Sequence, residues 1–105
     1  MSFAIAKLSN RTVSLAPLIS NGWKDTMPSR DSISKEYVFD NFKEAFQFMT
    51  DIADVAERKQ HHPEWFNVYN KVQVTWTTHD CQGCSNKDVE MADLCDKTFK
   101  SIVSK

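Results

Sequence analysis

The most regular pattern of apolar and polar positions lies in residues 41–60, where apolar residues recur at spacings of three and four. This spacing places an apolar stripe along one side of a helix. Asn41 and Glu44 form a cap pair at its start, and Pro63 disfavours helical geometry at the preceding residue, so the helix is predicted to end near Gln60. The predicted stripe consists of Phe42, Ala45, Phe46, Met49, Ile52, Ala53 and Ala56.

Two shorter patterns predict one helix near each end of the chain. The first has Ser9 as a cap and Gly22 as a C-terminal stop. The last begins with Ser85 and Asp88 at the spacing of a capping box, with Asp in place of the usual Glu or Gln. The apolar positions are Val13, Leu15, Leu18 and Ile19 in the first helix and Ala92, Cys95, Phe99 and Ile102 in the last.

Four segments with strand-like patterns form two predicted hairpins. In the second segment Ile33, Tyr37 and Phe39 share one face, which Lys35 interrupts. Residues 69–70 form the turn between the third and fourth segments. The predicted strands are residues 23–27, 33–39, 65–68 and 71–78.

The order of these elements is α-β-β-α-β-β-α. The simplest layered arrangement for that order is an α+β fold, in which a four-stranded antiparallel sheet has three helices packed on one face. The chain has 105 residues without an internal repeat or a low-complexity segment. We therefore predict a single domain over residues 1–105.

Charge and the N-terminal residues limit the classes of partner. The net charge is -1 with acids and bases interspersed, so no basic surface for nucleic acid or for a membrane is expected. The apolar run in residues 1–7 is too short for a signal peptide or a membrane span, which favours the cytoplasm. The three cysteines are then expected to be reduced thiols.

Histidines carry the most distinctive chemistry of the chain. His61 and His62 are adjacent at the end of the long predicted helix, and His79 follows the fourth predicted strand. An imidazole has an unperturbed pKa of about 6.5, which suits it to proton exchange near neutral pH. Imidazoles brought together from two segments indicate either proton-transfer catalysis or metal ligation.

Cysteines near His79 leave three further chemical interpretations open. Zinc would accept His79, Cys81, Cys84 and either His61 or His62 as ligands, although adjacent histidines diverge and fit paired-ligand spacing poorly. A Cys81–Cys84 redox pair would normally lie near a βαβ unit, which the antiparallel order lacks. A Cys81 thiolate activated by His79 is compatible with an extended chain, where alternate residues point to the same side. Ordinary loop thiols are the interpretation that we favour.

A set of spaced residues extends from the end of the long helix to the start of the last one. It consists of Glu57, His61, His62, Pro63, Tyr69, His79 and Asp88. This set resembles the signature of the pterin-4a-carbinolamine dehydratase family, and residues 61–72 are similar to the same run in animal members. Three positions depart from the family pattern: Gln60 stands where an acid is common, and Trp76 and Cys84 stand where aliphatic residues are expected.

The resemblance implies dehydration of 4a-hydroxytetrahydropterin, the product of aromatic amino acid hydroxylases, to quinonoid dihydropterin and water. This is a step of tetrahydrobiopterin recycling, and no metal or organic cofactor is implied. His61, His62 and His79 are the implied catalytic residues, which would move protons by acid-base catalysis. We expect His62 and His79 to lie closer to the transferred protons than His61.

The resemblance also implies residues that bind substrate or support the site. Glu57 is expected to orient a histidine, and Asp88 either orients one or caps the last helix. Implied substrate-binding residues are His61, His62, Pro63, Glu64, Thr77, Thr78, His79, Asp80 and Cys81, and implied supporting residues are Glu57, Asp88 and Trp23.

Partners of the chain are likewise expected from the resemblance. Family members form dimers and tetramers, and some animal members are coactivators that stabilise dimers of a homeodomain transcription factor. A pterin substrate, a homodimer or homotetramer, and a transcription factor are therefore implied, with a nuclear as well as a cytoplasmic location. The stripes that contain Phe42 and Ala92 have apolar positions available for self-association.

Overall fold

The helices and strands follow the predicted order in a computed structural model, which describes residues 5–104. Residues 1–4 of the apolar N-terminal run lie outside this range. Across the described range, no helix is long and apolar enough to cross a membrane. The elements are α1 (Arg11–Ser20), β1 (Lys24–Asp25), β2 (Ile33–Val38), α2 (Phe42–Lys59), β3 (Glu64–Val68), β4 (Lys71–Trp76) and α3 (Asn86–Val103).

The sheet places β4 between β2 and β3, in the strand order β1-β2-β4-β3 with all neighbours antiparallel. Trp76 at the end of β4 pairs with Ile33, and the adjacent Thr75 pairs with Glu64 at the start of β3. Because β3 begins just after the histidine pair, this register brings the end of β4 close to the end of α2.

The hydrophobic core lies between the helices and one face of the sheet. Tyr37 and Phe39 from this face contact Phe48 of α2 and Phe99 of α3. The opposite face is open, and its apolar side chains Val38, Phe66 and Val68 are exposed. The predicted α+β class, with a four-stranded antiparallel sheet and three helices, is confirmed.

Capping signals in the sequence are confirmed at both long helices. The Asn41 side chain accepts a hydrogen bond from Glu44 N–H at 2.9 Å. Helix α2 ends at Lys59, close to the predicted end near Gln60, and Gln60 is its C-cap with a left-handed φ of 52°. Ser85 and Asp88 form the predicted capping box of α3.

The predicted apolar stripe of α2 is wrong in part. Phe42 and Phe46 are 45% and 54% exposed, and Ala53 is also exposed, whereas Phe48 is fully buried. Two neighbouring rows of α2 both follow the helical spacing, so the pattern does not determine which row faces the sheet. The buried row is Ala45, Phe48, Ile52 and Ala56.

The prediction for α1 is wrong at its first residue and on one side of its stripe. Asn10 rather than Ser9 caps the helix, and its side chain accepts from Val13 N–H at 3.2 Å. Val13 and Ile19 are 65% and 44% exposed. Leu15 and Leu18 alone supply the buried face of this short helix.

Three strands are shorter than predicted, and β2 loses only Phe39 at its end. Only two residues of the predicted segment 23–27 pair as β1, although Trp23 is buried beside them. Strand β4 ends at Trp76, because Thr78 leaves the sheet and forms an isolated bridge with Gly83. The chain then forms a short 3₁₀ turn at His79–Cys81 before α3.

Candidate active site

The end of α2 separates the two adjacent histidines. The left-handed Gln60 reverses the chain, and the next residue, His61, donates its backbone N–H to Ala56 at 3.0 Å. After this turn the side chain of His61 is 9% exposed and that of His62 is 60% exposed. The local cap thus directs one imidazole inward and the other toward solvent.

Asp31 organises the segment that follows β4. Its carboxylate accepts from Cys84 N–H at 3.2 Å and from Arg11 Nε at 3.0 Å, and its carbonyl accepts from Thr77 Oγ1 at 2.9 Å. Burial opposes ionisation, but these two donors to the carboxylate lower the pKa of Asp31 overall. A Cβ at Gly83 would lie 2.4 Å from Asp31 Oδ2, so only glycine allows this approach. Nothing in the sequence pattern singled out Asp31.

Asp88 joins the buried histidine to the start of α3. Its Oδ1 lies 2.7 Å from His61 Nε2, and its Oδ2 accepts from Thr78 Oγ1 at 2.7 Å and from Ser85 N–H at 2.9 Å. The Asp88 side chain is fully buried. The Asp88 carboxylate therefore both caps α3 and orients His61. The sequence had offered these two roles as alternatives.

His62 is held by the residue that the sequence analysis expected to orient a histidine. Its Nε2 lies 2.8 Å from Glu57 Oε1, and the Glu57 side chain is 73% exposed. The partner is His62 rather than His61, although Glu57 lies one helical turn before His61. Left-handed geometry at Gln60 accounts for the difference, because it redirects the chain after the helix.

His79 has a more distant carboxylate partner. Its Nε2 lies 3.7 Å from Glu64 Oε2, and its side chain is 78% exposed. Arg30 binds both oxygens of Glu64, at 2.6 and 2.5 Å. This hydrogen-bonded guanidinium, with a smaller contribution from His79, lowers the pKa of Glu64.

The histidines meet at a cavity of about 250 Å³ between the end of α2 and the segment after β4. An adjoining cavity of about 320 Å³ shares Thr77 and His79 with it. Convergent polar groups around a cleft are the usual form of a small-molecule site. The first cavity is lined by Ile5, Gln60, His61, His62, Thr77, Thr78, His79, Asp80 and Lys87.

The structure brings together some of the expected site residues and not others. Lys87 lines the cavity although the sequence analysis did not select it, and its place directly before Asp88 was the available signal. Glu64 lies beside the cavity through His79, and Pro63 connects it to His62. Trp23 lies elsewhere in the core, where its Nε1–H donates to the carboxylate of Asp96.

The cysteine-based alternatives gain no geometric support. Cys81 Sγ contacts the carbonyl oxygen of Gly83 at 3.3 Å, and the 3₁₀ turn replaces the extended chain on which pairing with His79 depended. Burial raises the pKa of Cys84 to about 12, which does not favour a reactive thiolate. Between Ile5 and Ser104, no group of three or more His, Cys, Asp or Glu side chains is arranged to hold a metal ion.

This arrangement suits proton transfer. A carboxylate lies beside one ring nitrogen of each imidazole, which leaves the other nitrogen to exchange a proton with a bound molecule. Because the two exposed rings and the buried ring border the same cavity, a ligand there contacts more than one proton donor or acceptor.

This chain is similar in sequence to one known protein and similar in sequence and fold to another. A protein from Drosophila melanogaster, named pterin-4-alpha-carbinolamine dehydratase, is 48% identical over 88 residues, which is 84% of this chain and 45% of that protein. This chain thus spans less than half the length of the fly protein. A crystal structure from Brucella melitensis, described as a transcriptional coactivator/pterin dehydratase, aligns with a TM-score of 0.80 and 35% identity over 89% of this chain and 98% of that one.

A sequence model of one family covers almost all of the described chain. It is that of pterin 4 alpha carbinolamine dehydratase, and it matches residues 6–98, which include every histidine discussed above. Together with the histidine cavity, this match establishes that the chain belongs to the pterin 4 alpha carbinolamine dehydratase family.

Proposed function

We propose that this protein dehydrates 4a-hydroxytetrahydropterin to quinonoid dihydropterin and water, as a step of tetrahydrobiopterin recycling. The observation that carries the proposal is that all three histidines of the chain border one cavity and that each has a carboxylate partner. The activity named for the fly protein agrees with this reaction.

The reaction requires two proton movements. A ring nitrogen of the pterin loses its proton, and the hydroxyl group at C4a gains one and departs as water. Neutral imidazole accepts a proton and imidazolium donates one, so one histidine of each kind serves the reaction without a metal ion or an organic cofactor.

We assign the direct proton transfers to His62 and His79. Their side chains are 60% and 78% exposed, so a pterin in the cavity can reach either ring. His61 is the third catalytic residue. Since Asp88 lies at its Nε2, the neutral ring keeps a proton on that nitrogen and presents the lone pair of Nδ1.

Polar backbone and side chains around the cavity would bind the amide-like edge of the pterin. Thr77 and Thr78 border it from the end of β4, and Asp80 from the 3₁₀ turn. On the opposite side, the backbone of Pro63 and Glu64 continues from the histidine pair. Cys81 is the remaining residue of the proposed binding set, at the end of the same turn.

Stopped-flow measurement of 4a-hydroxytetrahydropterin decay, with and without the protein, tests the proposal. We expect decay to accelerate, and the double variant His61→Ala/His62→Ala to lose most of the acceleration with an unchanged circular dichroism spectrum. Gln47→Ala, an exposed substitution on α2, is the matched control. Near-normal turnover by the double variant would contradict acid-base catalysis by this histidine pair.

Self-association and a coactivator role are a second proposal. The exposed rings of Phe42 and Phe46 contact each other on α2 at a centroid distance of 5.6 Å, which leaves an apolar surface uncovered. The Brucella protein is described as both a coactivator and a dehydratase. We propose that α2 contributes to a homodimer or homotetramer and to binding of a transcription factor.

Sedimentation of Phe42→Ser/Phe46→Ser tests the first part of this second proposal. We expect wild-type protein to sediment as a dimer or tetramer at micromolar concentration and the double variant to dissociate. Val13→Ser, at an exposed position of α1, should leave the oligomer intact. Sedimentation of the wild-type protein as a monomer would contradict self-association. Binding of the same proteins to the dimerisation segment of a homeodomain transcription factor tests the coactivator role.

A further inference from the structure

Trp76 lies directly beneath the proposed active site. Its indole ring stacks on the imidazole of His61, with ring centroids 5.4 Å apart and planes inclined by 21°. Trp76 is fully buried at the end of β4. It is also one of the positions at which this chain departs from the pattern of the family it resembles, where an aliphatic residue is expected.

An indole at this position has an unfavourable consequence. Trp76 Nε1 is buried, and among residues 5–104 it makes no hydrogen bond of normal geometry; the weakly accepting thiol of Cys95 lies beside it. Burying an N–H that has only a weak acceptor is destabilising, and an aliphatic side chain would avoid that penalty. The indole N–H therefore carries a cost that leucine at the end of this strand would not have.

Two contacts of different kinds hold the His61 ring. Trp76 covers one face of the imidazole, and Asp88 lies 2.7 Å from its Nε2 at the edge. The contact with Trp76 at the face opposes tilting of the imidazole ring. The contact with Asp88 at the edge opposes rotation of the ring about its Cβ–Cγ bond. Together they direct Nδ1 as the nitrogen left for proton exchange.

The stacked indole also affects the charged form of the ring. An indole face attracts a cation within about 6 Å of its centre. His61 meets that distance. The same contact that orients the neutral ring therefore attracts the imidazolium formed when His61 accepts a proton.

We propose that Trp76 is a positioning residue for dehydration, which acts by holding His61 in one orientation against Asp88. This inference rests on the proposed dehydratase function. This role differs measurably from a purely structural one. If Trp76 acts by positioning His61, its substitution lowers turnover only when His61 is present.

A double-mutant cycle in the stopped-flow assay tests this inference. We expect Trp76→Leu to lower kcat by about 2- to 10-fold with little change in KM, a range typical of the loss of one aromatic pair. Trp76→Phe keeps a ring and should restore kcat to within about twofold. In a His61→Ala background, Trp76→Leu should have no further effect on kcat.

Phe48→Leu supplies the matched control for loss of an aromatic core residue. Phe48 is as deeply buried as Trp76, but it contacts Tyr37 and Phe39 at the other end of the core. We expect this variant to lose stability and to keep kcat. An equal loss of kcat in both core variants would overturn the inference, because general loosening of the core would then explain it.

Proton NMR of His61 gives a readout that does not depend on activity. Stacking on an indole should shift the Cε1–H signal of His61 upfield, and Trp76→Leu should remove that shift while Phe48→Leu retains it. Absence of dehydration by the wild-type protein would refute the proposed function. If the wild-type protein turned over normally but Trp76→Leu still lowered kcat in the His61→Ala background, only the positioning role of Trp76 would be refuted.

Discussion

Helix α3 carries two buried carboxylates whose partners differ in one chemical respect. Asp88 binds His61, the hydroxyl group of Thr78 and a backbone N–H. Asp96, eight residues later, binds Lys35 at 2.8 Å, Tyr37 OH at 2.6 Å and the indole of Trp23. Both accept several hydrogen bonds in the core, but of the two only Asp88 has a histidine among its described partners.

The partners of Asp96 form a cluster between α3 and the sheet. Lys35 explains why a lysine interrupts the apolar face of β2, since its ammonium group pairs with Asp96 and lies over the ring of Tyr37. Burial, with the hydrogen bond to Asp96, raises the pKa of Tyr37 well above its usual value. This cluster connects α3 to β2 of the sheet.

A buried carboxylate that accepts several hydrogen bonds does not by itself mark an active site. Both carboxylates are buried, Asp88 in the first turn of α3 and Asp96 in its middle, and both accept several hydrogen bonds. A histidine partner that borders a cavity distinguishes Asp88, whereas the described partners of Asp96 are a lysine, a tyrosine and a tryptophan.

Removal of a histidine should have the largest effect. We expect His62→Ala or His79→Ala to lower kcat by about 10²–10⁴-fold if the ring transfers a proton, and chiefly to raise KM if it only binds substrate. Steady-state kinetics with circular dichroism measures both. Tyr37→Phe, which removes a hydrogen-bond donor from Asp96, is the control and should keep kcat. A comparable loss of kcat in Tyr37→Phe would show that the Asp96 cluster affects turnover as much as the histidines do.

Asp88→Asn should have the next largest effect. The amide keeps the volume but no longer stabilises the imidazolium of His61, so we expect kcat to fall by about 10²-fold, at the lower end of acid-base contributions. The pH profile of kcat should also change. If Asp88→Asn lost only stability while kcat stayed normal, Asp88 would be a helix cap and nothing more.

Asp96→Asn should lower stability and leave kcat nearly unchanged, in contrast to Asp88→Asn. Loss of the charge leaves the ammonium of Lys35 poorly compensated, and we expect unfolding free energy to fall by about 2–3 kcal/mol with kcat within about twofold of wild type. Urea denaturation gives the first value. Asp93→Asn, which removes an exposed ion pair with Lys97 on the same helix, should change stability by less than about 1 kcal/mol.

A smaller effect is expected at Asp31, which lies outside both clusters. Its pKa in the folded protein is below the usual 3.8, so its ionised form stabilises the fold above that pH. That contribution is lost as the pH falls through the lower value of the folded state. The difference in urea midpoint between wild type and Asp31→Asn should therefore narrow in acid, and a difference that widened would contradict the sign of this shift.

Local signals in the sequence predicted much of the fold. The caps of α2 and α3 depend on Asn41, Gln60, Ser85 and Asp88, which act on backbone groups within a few residues. Residues 69–70 likewise form the turn between β3 and β4, as their position between two strand patterns predicted. Signals of this range are readable without knowledge of the rest of the chain.

The candidate site was predicted less completely. The resemblance directed attention to the histidines, Glu57 and Asp88, but it did not assign a partner to each ring. Asp88 and His61 are 27 residues apart, and their contact depends on how α2 and α3 pack. The roles of these residues in the reaction stay predictions until the variants are measured.

The sequence by itself determined the order of the helices and strands and the caps of α2 and α3, because caps, prolines and residue alternation act over a few bonds. Only the tertiary structure decided that Phe48 rather than Phe46 faces the sheet, that β4 lies between β2 and β3, and that Trp76 stacks on His61. Each of these is a choice between arrangements of similar local energy. Packing of the whole core makes that choice, because it alone determines which apolar surfaces are removed from water together.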